Sequence, residues 1–573
     1  MARHGLLFRP AAIAAGVVML LAARWIWVAG LGDYGWTWEA AARLLAGQVY
    51  YRDFTLLYGP LSHYTLAAWM WALGPHLFHS HLHLWFWYAL ALVVGLRIAR
   101  ELGAGAAAQS TGVAFAAVMG CPAFSWGHAF NYQAPCLAGA AILCLLRARR
   151  AGGPTSAAAA GVAAALAIYA KQNVGLAVTV LIPFLLPRGS RRAYAGGLAG
   201  AFVPILWYFS SRAGWEEVLR QLFLDPAAAK QGPVWMVLRA APRLILPPEV
   251  PGRRWWEVAA TLAALGALLP LVKRLARRTP AGEGARRPVG RPAEPGPALL
   301  AAAVLGIATS LLNVEWNPPA FLLPAPWTWL QEGVYLLLAL LTLALWRGFD
   351  ATWRAAALPL LAVTAVQESS NPNFVYSAPL AVPLLAALLD RAGVVLRPPV
   401  AGAALAAVCW IATAAVGPPW RYGLCAYRPT YPLPSDSPWA GLRAPREYRE
   451  EIRELWTELR PHVEGRTTLW LVAGGGPFLA FGGHPVSGAA CYMPDTIPPR
   501  LYRKLVESWR AQRPEVVVVQ DDFRLSPQDP DLAAESIRQT IAGGHRQVWR
   551  SRRDPRLSAW AASGGSAKSP GGR

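Results

Sequence analysis

Long apolar stretches recur through the first 416 residues and set the main organisation of this chain. A helix needs roughly 20 mostly apolar residues to cross the hydrocarbon core of a bilayer. Several stretches are short and rich in alanine, so together they predict about 11–13 transmembrane helices. The candidate spans are 8–29, 82–99, 106–122, 131–146, 155–170, 172–187, 194–210, 256–272, 297–313, 329–346, 355–367, 375–390 and 398–416. The first resembles a signal peptide, but the many spans after it favour an uncleaved anchor.

Three segments interrupt or follow these spans. Residues 30–81 and 211–255 form two long loops, and the second contains an amphipathic stretch, Trp215–Leu224, that would lie in the membrane interface. Residues 417–561 read as a small α/β domain. We therefore predict an α-helical polytopic membrane domain over residues 1–416, followed by this domain and a disordered tail at 562–573.

The α/β prediction rests on a change of periodicity after the last span. Residues 445–460 have the pattern of a charged amphipathic helix opened by Pro445, and 498–512 have a second helical pattern. The short apolar runs 467–472 and 515–520 have the length of buried strands.

Composition and charge agree with a membrane protein. Hydrophobic residues make up 55% of the chain, charged residues only 15%, and the mean hydropathy is +0.30. The net charge of +22 does not require nucleic acid, because the basic residues concentrate in alternate loops, such as 273–291 with seven of them. The loops 123–130, 314–328 and 368–374 contain no Lys or Arg. This pattern predicts that the N-terminus lies in the cytoplasm and the C-terminal domain outside. A composition rich in Ala, Arg, Pro and Gly favours a bacterial source, so we expect the membrane to be the bacterial cytoplasmic (inner) membrane.

The first outside loop, 30–81, has an unusual order of features. Asp33 follows the first span and precedes a short amphipathic helix at Trp38–Leu45. The run Tyr50-Tyr51-Arg52-Asp53-Phe54 and the tripeptide Tyr58-Gly59-Pro60 come next, before an aromatic-rich second helix over 61–73. A carboxylate at this position lies where lipid headgroups meet water, so Asp33 is a candidate for chemistry on a lipid-linked substrate.

This arrangement resembles the GT-C superfamily of membrane glycosyltransferases, which includes glycosyltransferase family 39, the protein O-mannosyltransferases and bacterial transferases that use polyprenyl-phosphate sugars. In those families an acid follows the first span, and the stretches A-x-x-L-x-x-G-x-x-Y-x-D-F and Y-x-P-L come after it. The matching residues here are Ala42, Leu45, Gly47, Tyr50 or Tyr51, Asp53, Phe54, Tyr58, Pro60 and Leu61.

Later segments extend the resemblance. Tyr169–Gly175 resembles a T-K-Q-N-x-G stretch of bacterial members, and Asn371–Pro379 resembles an outside loop that leads into a late span. The C-terminal segment also looks like the small outside domain of such transferases. The resemblance implies a polyprenyl-phosphate-linked sugar donor, a glycolipid, glycan or protein acceptor of the envelope, and inversion at the anomeric carbon. No nucleic-acid partner is expected, because the basic loops account for much of the net charge.

The chemistry assigns roles to these residues. Asp33 is the predicted general base, acting alone or with Asp53, and Lys171 is the predicted phosphate ligand, since a lysine at membrane depth is costly. Asp53 is predicted to orient the acceptor or hold a divalent metal, or it pairs with Arg52; no other cofactor is predicted. The further candidate substrate ligands are Tyr34, Glu39, Arg52, Tyr58, Gln172, Asn173, Glu368, Asn373 and Tyr376.

Other readings stay open at this stage. The cluster His76, His79, His81 and His83 has spacing compatible with a metal, although no carboxylate adjoins it. Cys425 could pair with Cys491 outside the cytoplasm, and Cys121 with Cys136. The alternative functions are a transporter or flippase of lipid-linked saccharides, which predicts charges inside spans and related halves, and a non-catalytic envelope assembly protein.

Overall fold

The computed structural model of the 573-residue chain describes most of the loop and domain segments and part of the span region. The described residues are 33–105, 108–109, 112, 116, 129–226, 342, 346, 350–370, 378–391, 430–472, 478–486, 488–489, 499–521, 523, 539, 541 and 543–563. Within them the protein is mostly helical and carries a C-terminal α/β unit, as the sequence predicts.

Ten helices precede the C-terminal unit in the described residues. Their bounds are α1 Asp33–Leu45, α2 Leu61–Leu73, α3 Leu77–Glu101, α4 Phe130–Ala151, α5 Pro154–Ala170, α6 Gln172–Leu185, α7 Arg191–Ala213, α8 Trp215–Leu219, α9 Ala351–Ser370 and α10 Ala378–Arg391. Seven of them, α3 to α7, α9 and α10, correspond to predicted spans. The other predicted spans, 8–29, 106–122, 256–272, 297–313, 329–346 and 398–416, lie wholly or largely outside the described residues.

Membrane character is concentrated in a few of these helices. Among the described residues, Leu77–Glu101 and Arg188–Ala213 are long and apolar enough to cross a membrane, and α5 and α6 are shorter apolar helices. Large apolar side chains on the outer faces of α6 and α7 are exposed, including Phe184 at 75% and Trp207 at 74%. Exposed apolar surface of this kind is typical of contact with lipid or with a partner.

The first outside loop folds as the sequence predicts, with one extension. The predicted helix at Trp38–Leu45 is the second half of α1, which already includes Asp33. The predicted second helix is α2, with the same bounds, Leu61–Leu73. The amphipathic stretch at Trp215–Leu224 is also helical: α8 continues into a π-helical turn over Arg220–Leu224.

The C-terminal unit contains most of the strands that the structure describes. The described strands are β1 Phe54–Thr55, β2 Thr430–Pro432, β3 Arg443–Pro445, β4 Thr467–Leu471, β5 His484–Pro485, β6 Gly488–Ala489, β7 Val516–Gln520, β8 His545–Arg550 and β9 Leu557–Ala562. Five of them form a mixed sheet in the order β5-β4-β7-β9-β8. Strand β4 is parallel to β5 and β7, whereas β9 is antiparallel to β7 and β8.

Helices flank this sheet at the positions that the periodicity predicts. The predicted helix at 445–460 is a helical segment from Arg446 to Val463, formed by α11 (Arg446–Glu454), a π turn (Leu455–Leu459) and α12 (Arg460–Val463). The second is α13, Pro499–Gln512. Strand β9 reaches Ala562, one residue into the predicted tail, and residues 564–573 lie outside the described part of the chain.

The C-terminal unit is joined to the first outside loop. Strand β1 of the loop pairs in parallel with β6, aligning Phe54 with Gly488. One hydrophobic cluster also contains Trp38 and Met70 from the loop helices together with Trp439 and Phe481 from the C-terminal unit. The two parts therefore share a core.

Candidate functional site

The junction between α5 and α6 places a lysine inside the helical region. Lys171 is the single residue between the two helices, with an extended backbone at φ −154° and ψ 111°. Its N–H donates to the Ala167 carbonyl, which closes α5, and its own carbonyl accepts from Gly175 N in the first turn of α6. A Cβ at Gly175 would overlap the Ile168 backbone, so a glycine there allows the two helices to turn back closely on one another.

Lys171 links three helices through two side-chain amides. The lysine is only 4% exposed, and its Nζ donates to Asn131 Oδ1 at 2.8 Å and to Gln367 Oε1 at 3.0 Å. Gln367 Nε2 also donates to Asn131 Oδ1 at 3.3 Å. Asn131 lies in the first turn of α4 and Gln367 near the end of α9, so the ammonium group connects α4, the α5–α6 junction and α9.

Asn131 and Gln367 were not among the sequence candidates. Both are fully buried. The signal that could have identified them is an amide side chain at the end of an otherwise apolar stretch, because a buried amide needs a hydrogen-bonding partner. Among the residues that the structure describes, the Asn131 Nδ2 group has no hydrogen-bond acceptor. The site therefore has a buried amide donor beside a buried ammonium group.

The first outside loop docks directly on this junction. Gln172 Nε2 donates to the Leu57 carbonyl at 3.0 Å, and this hydrogen bond is buried. A Cβ at Gly59 would lie 2.5 Å from the Tyr169 carbonyl carbon and 3.1 Å from its Cα, so the loop backbone rests against that peptide. The structure thus brings together the Tyr58-Gly59-Pro60 segment and the Tyr169–Asn173 segment, which are more than 100 residues apart in sequence.

Asn173 holds the neighbouring helix. Its Nδ2 donates to the Val366 carbonyl at 3.3 Å, and its Oδ1 accepts from Val174 N at 2.9 Å. Lys171 and Asn173 therefore contact successive residues near the end of α9, which fixes that helix end against the junction.

An aromatic cluster connects the junction to α1. The Tyr58 ring stacks on Phe130 with a centroid separation of 4.1 Å and on Trp36 at 5.7 Å. Tyr50 OH donates to the Tyr58 carbonyl at 2.8 Å, which fixes the bend of the loop. Phe130 immediately precedes the lysine partner Asn131, and Trp36 lies one helical turn after Asp33. The first turn of α1 is thereby held near the end of α4 that contacts Lys171.

The predicted base sits at the start of α1. Asp33 and Tyr34 are the first two residues of that helix, and their side chains lie outside what the structure describes. The general-base role of Asp33 stays a prediction, together with the substrate contact of Tyr34.

Asp53 is held by its own loop. Its carboxylate accepts two hydrogen bonds from Arg52, at 2.8 and 2.7 Å, and one from Val49 N at 2.7 Å. The bond from Arg52 holds the pKa of Asp53 below its ordinary value. Asp53 therefore forms the ion pair with Arg52 that the sequence left open as an alternative, and both side chains are partly exposed to solvent. Roles for the two residues in catalysis and substrate binding stay predictions.

Glu39 ties α1 to the C-terminal unit. One carboxylate oxygen pairs with Arg43 Nε at 2.9 Å and the other accepts from Leu479 N at 2.8 Å. Burial raises the pKa of Glu39, and the Arg43 charge and the backbone donors partly oppose that shift. The described contacts make Glu39 a structural link, while its predicted substrate contact stays a prediction.

The remaining candidates are less well defined. Glu368 belongs to α9, but its side chain lies outside the described part, and Asn373 and Tyr376 lie outside it entirely. In α3, His83 Nε2 accepts from Trp87 Nε1 and contacts Thr65 Oγ1, both at 2.9 Å. The described residues contain no group of three His, Cys, Asp or Glu able to hold a metal.

The cysteine predictions are only partly covered. Cys136 is buried and carries a free thiol. Its suggested partner, Cys121, lies outside the described residues, as do Cys425 and Cys491.

Comparisons with known proteins give a distant likeness. No protein-family model matches the chain, and no curated protein matches it. A crystal structure of ArnT from Cupriavidus metallidurans bound to undecaprenyl phosphate is 15% identical and has a TM-score of 0.42, with 98% of each chain covered. The apo structure of the same protein has a TM-score of 0.41 at the same identity and coverage. Likeness at this distance assigns no activity to the chain.

Proposed function

We propose that the chain is an integral-membrane glycosyltransferase of the GT-C type. It moves a sugar from a polyprenyl-phosphate donor to an envelope glycolipid, glycan or protein acceptor at the extracytoplasmic face of a bacterial inner membrane. The donor phosphate lies near Lys171, and Asp33 acts as the general base.

One observation carries this proposal: two sequence segments that separately resemble the same enzyme class contact each other. The Gln172–Leu57 hydrogen bond and the close approach of Gly59 to Tyr169 connect them. Chance resemblance in two unrelated segments would not require them to meet at one place. The contact also puts Lys171, the residue before Gln172, beside the loop that contains Asp33.

The buried ammonium suits the charge that this reaction develops. The acceptor hydroxyl gives its proton to the Asp33 carboxylate while its oxygen forms a bond to the anomeric carbon. The bond from that carbon to the phosphate oxygen breaks, and its electron pair leaves with the phosphate. The phosphodiester carries one negative charge and the released phosphate carries up to two, so a cation at the phosphate stabilises the transition state more than the substrate.

The side-chain geometry around Lys171 supports a fixed cation. Its two described amide partners are neutral, so they orient the ammonium group without cancelling its charge. Attack by the acceptor opposite the leaving phosphate inverts the anomeric centre in a single displacement. The polyprenyl tail stays in lipid while its phosphate reaches the level of the α5–α6 junction.

Transfer by the purified full-length protein tests the proposal. A labelled polyprenyl-phosphate sugar is mixed in micelles with an extract of envelope glycolipids and glycans, and labelled product is followed with time. We expect Asp33→Asn to lower transfer by at least about 10²-fold, the lower end of what a general base contributes. Asp521→Asn is the matched control, because it also neutralises one carboxylate, in a surface ion pair with Arg550.

The result separates the alternatives that the sequence leaves open. A flippase moves the intact donor across vesicles and leaves its glycosidic bond unbroken, and an assembly protein does neither. Full transfer activity in Asp33→Asn with normal membrane insertion would remove the general-base assignment. Absence of transfer in the wild-type protein, with movement of the intact donor, would replace the glycosyltransferase by the transporter.

A further inference from the structure

A cationic cavity lies at the helix ends opposite the candidate site. Its volume is about 400 Å³, and its lining includes Arg149, Arg150, Phe184, Leu186, Pro187 and Thr352. These residues come from the end of α4, the end of α6 and the start of α9. The same three elements meet at Lys171 at their other ends.

The separation from Lys171 places this cavity at the other face of a membrane. From Asn131 to Arg149, α4 advances 18 residues, which is about 27 Å at ~1.5 Å per residue. That length is close to the ~30 Å hydrocarbon core of a bilayer. The charge pattern of the loops assigns this end to the cytoplasm, so the cavity faces the leaflet opposite the proposed transfer site.

The cavity has an excess of positive charge. Arg150 Nη1 pairs with the Glu101 carboxylate at 2.9 Å, and the same carboxylate accepts from Arg147 at 3.2 Å. The described ion pairs of Glu101 do not include Arg149. Instead, Arg149 Nη1 donates a hydrogen bond to the Leu185 carbonyl. Since a guanidinium group has five N–H donors and the described residues accept one hydrogen bond from Arg149, its charge and its other donors can serve a ligand.

The other side of the cavity is apolar. Phe184 is 75% exposed, and Pro187 is also exposed, whereas Leu186 is a buried apolar residue of the lining. At the end of a spanning helix, a guanidinium group can bind the phosphate of a phospholipid headgroup, while exposed apolar side chains beside it contact the acyl chains. A soluble anion would use only the charged half of this lining.

We propose that this cavity binds the headgroup of an anionic phospholipid from the cytoplasmic leaflet. Arg149 holds the phosphate, Arg150 adds positive charge, and an acyl chain lies along Phe184. The inference is independent of the glycosyltransferase proposal, because it concerns the opposite helix ends.

Competition between lipids tests the inference directly. The full-length protein is purified in micelles that contain equimolar phosphatidylglycerol and phosphatidylcholine, and native mass spectrometry measures the ratio of the two lipids retained. One cationic residue near an anionic lipid surface corresponds to about a fivefold preference. We therefore expect at least about fivefold more phosphatidylglycerol than phosphatidylcholine on the wild-type protein.

Three variants locate the binding. Arg149→Gln removes the charge and should lower the ratio about fivefold. Thr352→Trp fills the cavity without changing any charge and should also lower it, which keeps the test valid if the arginine variant does not fold. Arg192→Gln removes an exposed arginine outside the cavity lining and should leave the ratio unchanged.

Three results would contradict the proposed lipid site. An equal loss in Arg192→Gln would mean that a diffuse basic surface attracts the lipid, and an unchanged ratio in both cavity variants would overturn the site. Displacement of bound phosphatidylglycerol by excess inorganic phosphate would assign the cavity to a soluble anion instead. Each of these results leaves the transfer assay unaffected.

Discussion

Replacing Gly59 by alanine tests whether the docking of the first loop on the α5–α6 junction matters for function. The added Cβ would lie 2.5 Å from the Tyr169 carbonyl carbon and 3.1 Å from its Cα. Favourable separations between carbon atoms are about 3.5–4.0 Å. The neighbouring atoms are backbone, so they cannot rotate away, and the loop must move by about 1 Å or more to relieve the overlap.

This movement acts on both the site and the fold. It weakens the Gln172–Leu57 hydrogen bond and shifts Tyr58 against Phe130, so the segment after α1 no longer holds its place relative to Lys171. A displacement of 1 Å commonly costs about 10²-fold in catalysis. Overpacking of a buried contact costs about 1–3 kcal/mol in the free energy of unfolding.

The assay compares two glycine variants of the full-length protein. Gly59→Ala should lower kcat/KM for sugar transfer by about 10²-fold and lower Tm by several degrees. Gly200→Ala, in the interior of α7, meets nothing within 4 Å and should keep wild-type transfer and Tm. Wild-type transfer by Gly59→Ala would refute the argument that this contact positions the candidate site.

Two further substitutions probe single side chains. Lys171→Met removes the ammonium group at similar volume and should lower kcat/KM for the lipid donor by about tenfold or more, the worth of a hydrogen bond to a charged group; a change confined to the acceptor KM would contradict the phosphate assignment. Glu39→Gln tests pH dependence. Because burial raises the folded pKa of Glu39 above its ordinary 4.5, the stability that it contributes is present below pH 4.5 and is lost as pH rises through the folded pKa. We expect the Tm of the wild-type protein to fall as pH rises over that interval, and the Tm of Glu39→Gln not to show this fall. If Tm changes equally with pH in both proteins, the raised pKa does not belong to Glu39.

The helices and the C-terminal strands could be predicted because each leaves a local pattern. A helix that crosses a membrane needs a long, mostly apolar run, so α3 and α7 can be recognised from the length and composition of their sequence. The strands β4 and β7 fall within the short apolar runs 467–472 and 515–520 that the sequence shows. Local signals of this kind require no knowledge of the partner element.

The partners of polar side chains could not be predicted in the same way. The first loop visibly contains several carboxylates, but nothing in the local sequence indicates that Glu39 pairs with the backbone of Leu479, 440 residues later. Strand β1 is only two residues long and has no periodicity to recognise. Asn131 and Gln367 were missed for the same reason, because their importance comes from Lys171, which lies at the α5–α6 junction.

The shared core changes how the C-terminal unit should be understood. Met70 and Trp439 belong to one hydrophobic cluster, and Gly488 N donates to the Asp53 carbonyl at 3.1 Å beside the β1–β6 pair. Removing the unit would expose that apolar surface on the loop and would leave the Glu39 carboxylate without its donor from Leu479. The unit therefore acts on the helix that begins at Asp33, so a function of the membrane region that depends on Asp33 depends on the C-terminal unit as well.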